Sequence, residues 1–568
     1  MSLSPSAHLD TFTRDHLPPA ELWPTIEFTT PELQYPDRLN AATELIDRPV
    51  HEHGPDLPAL RTPDGETWSY GLLRCRANQV AQVLTEDLGL VPGQRVLLRS
   101  PNNPWAVAAW LGVLKAGGVA VTTMAALRAR ELAPIVERTR PSVALVDHRF
   151  TEEIETARNS SLPSMAVITH GGLGPDDLVA RAAAKSGEFT NVPTAADDVA
   201  LLGPTSGSTG VPKITMHFHR DVLSIDHTFG RPLLGLGPGD TVACSAPLAF
   251  TFGLGMLVVF PLRAGACALL TESATPPQLA ELVERQGITV LATAPTAYKA
   301  ILRDGHEHRL ARLRIAVSAG EHLPQTTWEQ LRDRLGLRVI DGIGATELLH
   351  IFISAAGDDI RPGATGRPLP GYRATILDLD GRELGPGEPG RLAVIGPVGC
   401  RYLDDPRQFD YVVDGWNVTG DLFYRDGDGY FFYQARTDAM IVSSGYNIGG
   451  PEVEAAIDTH PDVIESGVVA KPDPERGSIV CAFVVLRDGV PGDAAKAREI
   501  QDHVKHVLAP YKYPREVRFC EALPRNTSGK LQRFVLRRLV TDEEITADEK
   551  TVTDEKTADD EHTVADEQ

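Results

Sequence analysis

The segment Thr205-Ser206-Gly207-Ser208-Thr209-Gly210-Val211-Pro212-Lys213 concentrates groups that suit a polyphosphate. Thr205, Ser206, Ser208 and Thr209 bring four hydroxyls. Gly207 and Gly210 let the backbone approach a ligand closely, so that successive N–H groups can donate to phosphate oxygens. Lys213 adds a point charge. The spacing is not that of a GxxxxGK(S/T) loop, so the usual nucleotide-hydrolase reading fails. The plain alternative is a flexible Gly/Ser linker, but a linker would not sit between apolar runs or end in Pro-Lys.

Such a loop needs a rigid element before it, and the apolar run Val199–Leu202 is the candidate strand. Around it the pattern alternates. Arg95–Leu98, Val143–Val146, Thr289–Ala292, Ile315–Ser318 and Val339–Ile340 read as short strands. Trp105–Leu114, Glu131–Arg138, Gln278–Gln286 and Trp328–Leu335 have helical spacing. This alternation predicts an α/β architecture with largely parallel sheets. Between 361 and 437 short strands punctuated by Gly, Pro and Asp predict a β-rich subdomain (Ala374–Leu377, Arg391–Ile395, Tyr430–Tyr433). Beyond it a small α+β unit is expected, with helices at Pro451–Ile457 and Ala494–Val507 and strands at Ile464–Val469 and Ile479–Leu486. Residues 1–60 read as an irregular wrap over the larger body.

Five more motifs follow the loop in order: Gly344-Ala345-Thr346-Glu347, Thr419-Gly420-Asp421, Arg436-Thr437-Asp438, Ser444-Gly445-Tyr446-Asn447 and Asn526-Thr527-Ser528-Gly529-Lys530. With the loop, and over about residues 60–540, they resemble the adenylate-forming enzymes: acyl-CoA synthetases, peptide-synthetase adenylation domains and luciferases. Within that superfamily the chain is most similar to benzoate and 2-aminobenzoate (anthranilate) CoA ligases. The opening HLDTFTRDHLPPAELWP and the stretches PLAFTFGLG, GIGATELLHIFIS and SSGYNIGGPEVE carry that finer likeness.

The resemblance implies the chemistry. An aromatic carboxylate would be activated by ATP as an aryl-adenylate with release of pyrophosphate, then passed to coenzyme A with release of AMP. It implies that Glu347 holds Mg²⁺, a hard cation suited to a carboxylate, and that Thr346 donates to the adenylate phosphate. Asp421 would accept both ribose hydroxyls, Arg436 would also contact the ribose, and Gly320, Glu321 and His322 would line the adenine pocket. Lys530 would bridge the substrate carboxylate and the α-phosphate as charge builds up, a preorganised electrostatic role. Asp438 matches the hinge of a mobile C-terminal domain, and Gly445, Tyr446 and Lys471 are assigned to coenzyme A. Phe250, Phe252, Gly344 and His350 are assigned to the acid pocket. The two phenylalanines suit a flat ring but could equally be core, and His350 could equally be a satisfied helix histidine. Ile343 stands where many relatives carry an aromatic residue against adenine. His217 and His219 are closely spaced but lack further ligands, so no metal site is expected there.

Composition sets the outer bounds. The 568 residues predict two to four domains, read as an N-terminal adenylate-forming domain 1–437, a C-terminal lid 438–540 and an acidic disordered tail 541–568. The formal charge of −22 argues against nucleic-acid and anionic-membrane partners. In the tail, twelve acidic residues face two lysines with almost no large apolar residue. Six scattered cysteines without CxxC spacing suit reduced thiols in a cytoplasmic protein. The N-terminus shows no basic-then-apolar leader. Residues 241–262 are uncharged and long enough to span a bilayer, but Pro247, Pro261, Gly253 and Gly255 favour a buried segment. The expected partners are therefore small molecules: an aromatic acid, ATP and coenzyme A. A carrier protein as acyl acceptor and a homodimer are left open. A second functional class, an inactive nucleotide-binding regulator, would show loss of Lys530, Glu347 or Asp421, and all three are present.

Overall fold

The computed structural model describes residues 3–172, 174–205, 212–436, 440–443, 446–473, 476–508, 510–525, 529 and 531–540. Ser206, Gly207, Ser208, Thr209, Gly210, Asp438, Gly445, Lys530, the side chain of Tyr446 and the tail 541–568 lie outside the described residues. Chain contacts separate two compact units. One runs to Thr419 and includes Tyr424–Tyr433; the other comprises Gly420–Phe423 and the chain from Gln434 onward. This division falls slightly before the expected 437/438 boundary. Gln434 already packs on the second unit, its carbonyl filling the space where a Cβ on Gly449 would stand, 2.8 Å away.

The first unit contains two large sheets. One has six strands in the order Ala166–His170, Val143–Asp147, Arg95–Arg99, Val119–Thr123, Val199–Thr205 and Lys213–Phe218. Every neighbouring pair is parallel except the last, which is an antiparallel hairpin. The other sheet has nine strands, running Arg367–Pro368, Ile351–Ser354, Ile340–Gly344, Ile315–Ala319, Val290–Thr293, Thr241–Cys244, Cys267–Leu269, Pro58–Arg61 and Thr67–Ser69. Its middle is parallel, and antiparallel strands stand at both edges. Central strands such as Arg95–Arg99 and Val143–Asp147 are buried along their whole length, the burial expected of a parallel sheet covered on both faces. The helix Pro104–Lys115 is apolar nearly all round because it too is buried on every side. Asn103 caps it by accepting from the Ala106 N–H at 2.9 Å, and Pro104 supplies a first-turn residue with no N–H to satisfy.

The β-rich segment forms an antiparallel sheet from Arg373–Leu377, Gly390–Ile395, Trp416–Arg425 and Val412–Val413. In the second unit, Val463–Asp473 and Gly477–Leu486 pair antiparallel and Glu516–Phe519 joins parallel to the latter. The helices Gly450–Ile457 and Ala494–Val507 pack there around Ile448, Val453, Val468, Val480 and Ile500.

Two expectations need revision. The irregular reading of residues 1–60 misses a helical run, Thr43–Asp47 into Arg48–His53, whose apolar Leu45, Ile46 and Val50 are buried. Pro49 hid it, although a proline is compatible with a first helical turn. The apolar segment 241–262 is no single helix: it opens as a strand, Thr241–Cys244, and resumes as helix only at Thr251. Among the described residues no helix is long and apolar enough to cross a membrane.

Candidate active site

Two hairpins, one from each large sheet, meet at their tips. In the six-stranded sheet, Thr205 pairs with Lys213, so the two ends of the phosphate segment stand side by side at the open end of the Val199–Thr205 and Lys213–Phe218 pair. In the nine-stranded sheet, Ile340–Gly344 and Ile351–Ser354 pair with Ile343 opposite Ile353 and Gly344 opposite Ile351. Ala345 to His350 are the turn between them, a short helical turn Thr346–Leu348 followed by Leu349 at φ 66°. Gly344 is required at the root of this turn, because a Cβ there would lie 2.8 Å from the His350 carbonyl.

Contacts made by His217, Tyr402 and Lys213 join the tips. His217, fully buried, places Nε2 2.8 Å from the Thr346 carbonyl and 3.0 Å from the Thr215 hydroxyl. Desolvation pushes its imidazole down to about 4, so it is neutral and its Nε2–H donates to Thr346. Tyr402 donates to Glu347 Oε1 at 2.5 Å, and Lys213 Nζ donates to the Tyr402 hydroxyl at 3.0 Å. Lys213 Nζ stands 3.7 Å from Glu347 Oε1. Among the described residues none donates to Glu347 Oε2, which leaves a hard carboxylate oxygen for a cation.

Tyr402 reaches this place because Arg401–Leu403 runs as an extra strand beside Lys213–Phe218. Met216 N–H donates to Arg401 O at 2.8 Å, Leu403 N–H donates to Ile214 O at 2.9 Å, and Tyr402 stands opposite Thr215. The buried Arg401 guanidinium donates to Asp221 at 3.1 Å and lies 4.1 Å over the Phe218 ring. Nothing in the local sequence around Tyr402 marks it; the signal lies in pairing with a strand 189 positions away.

Sequence reasoning also missed Asp341. It sits on the strand that leads to Gly344, near the Ser318 hydroxyl, and its Oδ1 is sealed without a hydrogen-bond partner although part of the residue remains exposed. Desolvation raises its carboxyl to about 8. Close by in sequence, Gly320 adopts φ 91°, and His322 stacks on Tyr433 with centroids 5.3 Å apart. Burial drives the His322 imidazole down to about 4.

His350 is not a helix histidine. It ends the hairpin turn, is 2% exposed, and lies among aromatic rings, with Phe260 4.8 Å, Phe229 5.2 Å and Phe252 5.7 Å from its centroid. Among the described residues neither of its ring nitrogens has a hydrogen-bond partner, and desolvation pushes it down to about 3. A Cβ on Gly255 would come within 2.5 Å of the ring, so this glycine makes room for it. Phe250 and Phe252, half-buried at the start of the Thr251–Leu254 helix, complete an apolar wall. Two polar clamps hold the preceding loop: Asn102 accepts from Leu248 N–H at 2.7 Å, and the Thr122 hydroxyl donates to Ala249 O at 3.1 Å.

In the second unit Arg436 donates to Asp421 at 3.2 Å, placing the two ribose candidates side by side. Lys471, assigned to coenzyme A, is engaged by Glu516 at 2.7 Å.

Residues 47–401 match the family described as AMP-binding enzyme, and residues 452–530 match its C-terminal domain. The chain belongs to the AMP-binding enzyme family. Within this family it is similar to a benzoate–CoA ligase of Thauera aromatica, with 34% identity over 90% of this chain and 98% of that one. A solved anthranilate CoA ligase in complex with anthranoyl-AMP shares 31% identity with a TM-score of 0.85, covering 90% of this chain and 99% of the other. A benzoate CoA ligase from Burkholderia xenovorans LB400 shares 29% identity with a TM-score of 0.80, over 88% and 100%. These likenesses agree with the two parallel-rich sheets, the β-rich segment and the small C-terminal unit of the family architecture.

Proposed function

We propose that the protein is an AMP-forming aryl-CoA ligase acting on benzoate-type acids, 2-aminobenzoate among them. A carboxylate oxygen of the acid displaces pyrophosphate from the α-phosphorus of ATP, giving an aryl-adenylate. The sulfur of coenzyme A then attacks the acyl carbon, AMP leaves, and the thiol proton passes to solvent. No general base is needed in the first step, because the nucleophile is already ionised.

The observation that carries this reading is the meeting of Lys213, Tyr402 and Glu347, in a chain similar over nine-tenths of its length to benzoate and anthranilate ligases. In this reading Lys213 and the loop residues Thr205, Ser206, Gly207, Ser208, Thr209 and Gly210 hold the polyphosphate. Thr346 donates to the α-phosphate, and Asp421 with Arg436 holds the ribose. Gly320, Glu321 and His322 flank the adenine. Glu347, with Oε2 open, is suited to Mg²⁺, which when bound neutralises phosphate charge. Phe250, Phe252, Gly344 and His350 receive the aromatic ring. Lys530 completes adenylation and Gly445 with Tyr446 serves thioester formation, the lid 438–540 turning at Asp438 between the two steps. Lys471 is a coenzyme A contact once released from Glu516.

Incubation with ATP, magnesium, coenzyme A and a panel of substituted benzoates tests this. Pyrophosphate release and an aryl thioester are expected. Pyrophosphate exchange without any thioester on free coenzyme A would move the acceptor to a carrier protein. No exchange with any acid would end the enzymatic reading.

A further inference from the structure

We propose that Tyr402 is a positioning residue for the ATP half of the reaction: its hydroxyl keeps Lys213 and Glu347 from closing into a direct ion pair, leaving the ammonium ready to turn to polyphosphate. The proposal rests on the aryl-CoA ligase reading and adds to it a residue outside the motif set.

The geometry is a three-membered chain. Tyr402 is 1% exposed. Its hydroxyl accepts from Lys213 Nζ at 3.0 Å and donates to Glu347 Oε1 at 2.5 Å, while the direct Nζ to Oε1 distance is 3.7 Å, beyond hydrogen-bond reach. The direction is fixed. A carboxylate oxygen only accepts and an ammonium only donates, so the phenol donates to Glu347 and accepts from Lys213. The ring is anchored independently of the hydroxyl, by the strand pairing opposite Thr215, by Tyr402 N–H donating to Gln408 at 2.9 Å, and by the Tyr411 ring at 5.9 Å. Lys213 Nζ also lies 4.9 Å from the Tyr402 ring centre, so the ammonium is held near the ring while its distance to the carboxylate stays at 3.7 Å.

Remove the hydroxyl and nothing separates the charges. In a partly desolvated site a contact ion pair is deeper than one held at 3.7 Å, and ATP must break it before Lys213 can reach a phosphate.

The experiment compares wild type, Tyr402→Phe, Lys213→Ala and the double variant, each checked for an unchanged far-ultraviolet spectrum and melting temperature. ATP affinity is measured calorimetrically without acid or coenzyme A, and KM for ATP and for benzoate is measured in turnover. Tyr402→Phe is expected to weaken ATP binding and raise its KM together by about tenfold. The KM for benzoate should stay within about twofold. In the Lys213→Ala background the phenylalanine should cost nothing further, because no ammonium remains to close onto Glu347. Unchanged ATP affinity in Tyr402→Phe, or a full additional loss in the double variant, overturns the proposal. Should Tyr402→Phe fold poorly, Tyr402→His keeps a polar ring with an N–H donor in its place, where retained ATP affinity supports the proposal and a loss as large as that of Lys213→Ala opposes it. A wild-type protein that neither binds ATP nor makes a thioester would instead sink the ligase reading itself.

Discussion

His217 Nε2 lies 2.8 Å from the carbonyl oxygen of Thr346, so a neutral imidazole from one sheet pins the turn that presents Glu347 from the other. Removing it leaves a buried carbonyl without its donor, at a cost of about 1–3 kcal/mol. We expect His217→Ala to lower kcat for adenylation by about tenfold or more, with His217→Gln recovering part by restoring an N–H. Pyrophosphate-exchange kinetics measure this; equal rates in His217→Ala and wild type would show that the contact does not orient the turn.

Acid should weaken the native state through its buried imidazoles. His350 sits near 3 and His217 near 4 when folded, against 6.5 for a free imidazole. Below about pH 6.5 the unfolded chain takes up protons that the native form refuses, so this stability is complete above that pH and declines toward pH 4, by about 1.4 kcal/mol per pH unit for each group. His350→Phe removes one such group. Its melting temperature should fall less steeply with acid than that of wild type, and the same slope in both would contradict the burial argument.

Asp341 carries the opposite sign. Its carboxyl is raised from 3.8 to about 8, so the native state is penalised progressively as pH rises between those values. In the ligand-free protein Asp341→Asn should therefore melt higher than wild type. The gap should widen from pH 4 toward pH 8 and then level off, readable from melts at roughly pH 5, 7 and 9. A gap that does not change with pH would mean that the carboxyl ionises freely in the fold.

The two half-reactions should separate by mutation. Lys530→Ala is expected to reduce adenylation by orders of magnitude while thioester formation from supplied aryl-adenylate largely survives. Gly445→Leu should do the reverse, since a branched side chain would fill the space needed by the pantetheine arm. Single-turnover assays of each step decide it, and equal damage to both steps by both changes would count against an alternating lid.

The local elements were readable because their signals are local. Helical spacing marks Trp105–Leu114, and the structure extends it to Pro104–Lys115 with Asn103 as its cap; Ala494–Val507 stands as expected, capped by Asp493. Short runs such as Val143–Asp147, buried on both faces, needed only their β-branched and apolar residues. The helical run Thr43–His53 escaped because its proline resembles a break in one dimension.

The amino-acid sequence by itself determined which groups are available: a hydroxyl-and-glycine turn, a Thr346-Glu347 pair, an Asp421 and a wall of Phe250 and Phe252. Only the tertiary structure decided how they are held. Tyr402 and His217 belong to no motif, and they act on the Glu347 turn because two sheets bring hairpin tips together across long stretches of chain. Spacing along a chain records hydrogen bonds within a helix or a strand, but not which distant strand will pair beside it. Burial, likewise, is a property of the packed fold, and it alone makes His350 neutral and Asp341 reluctant to ionise.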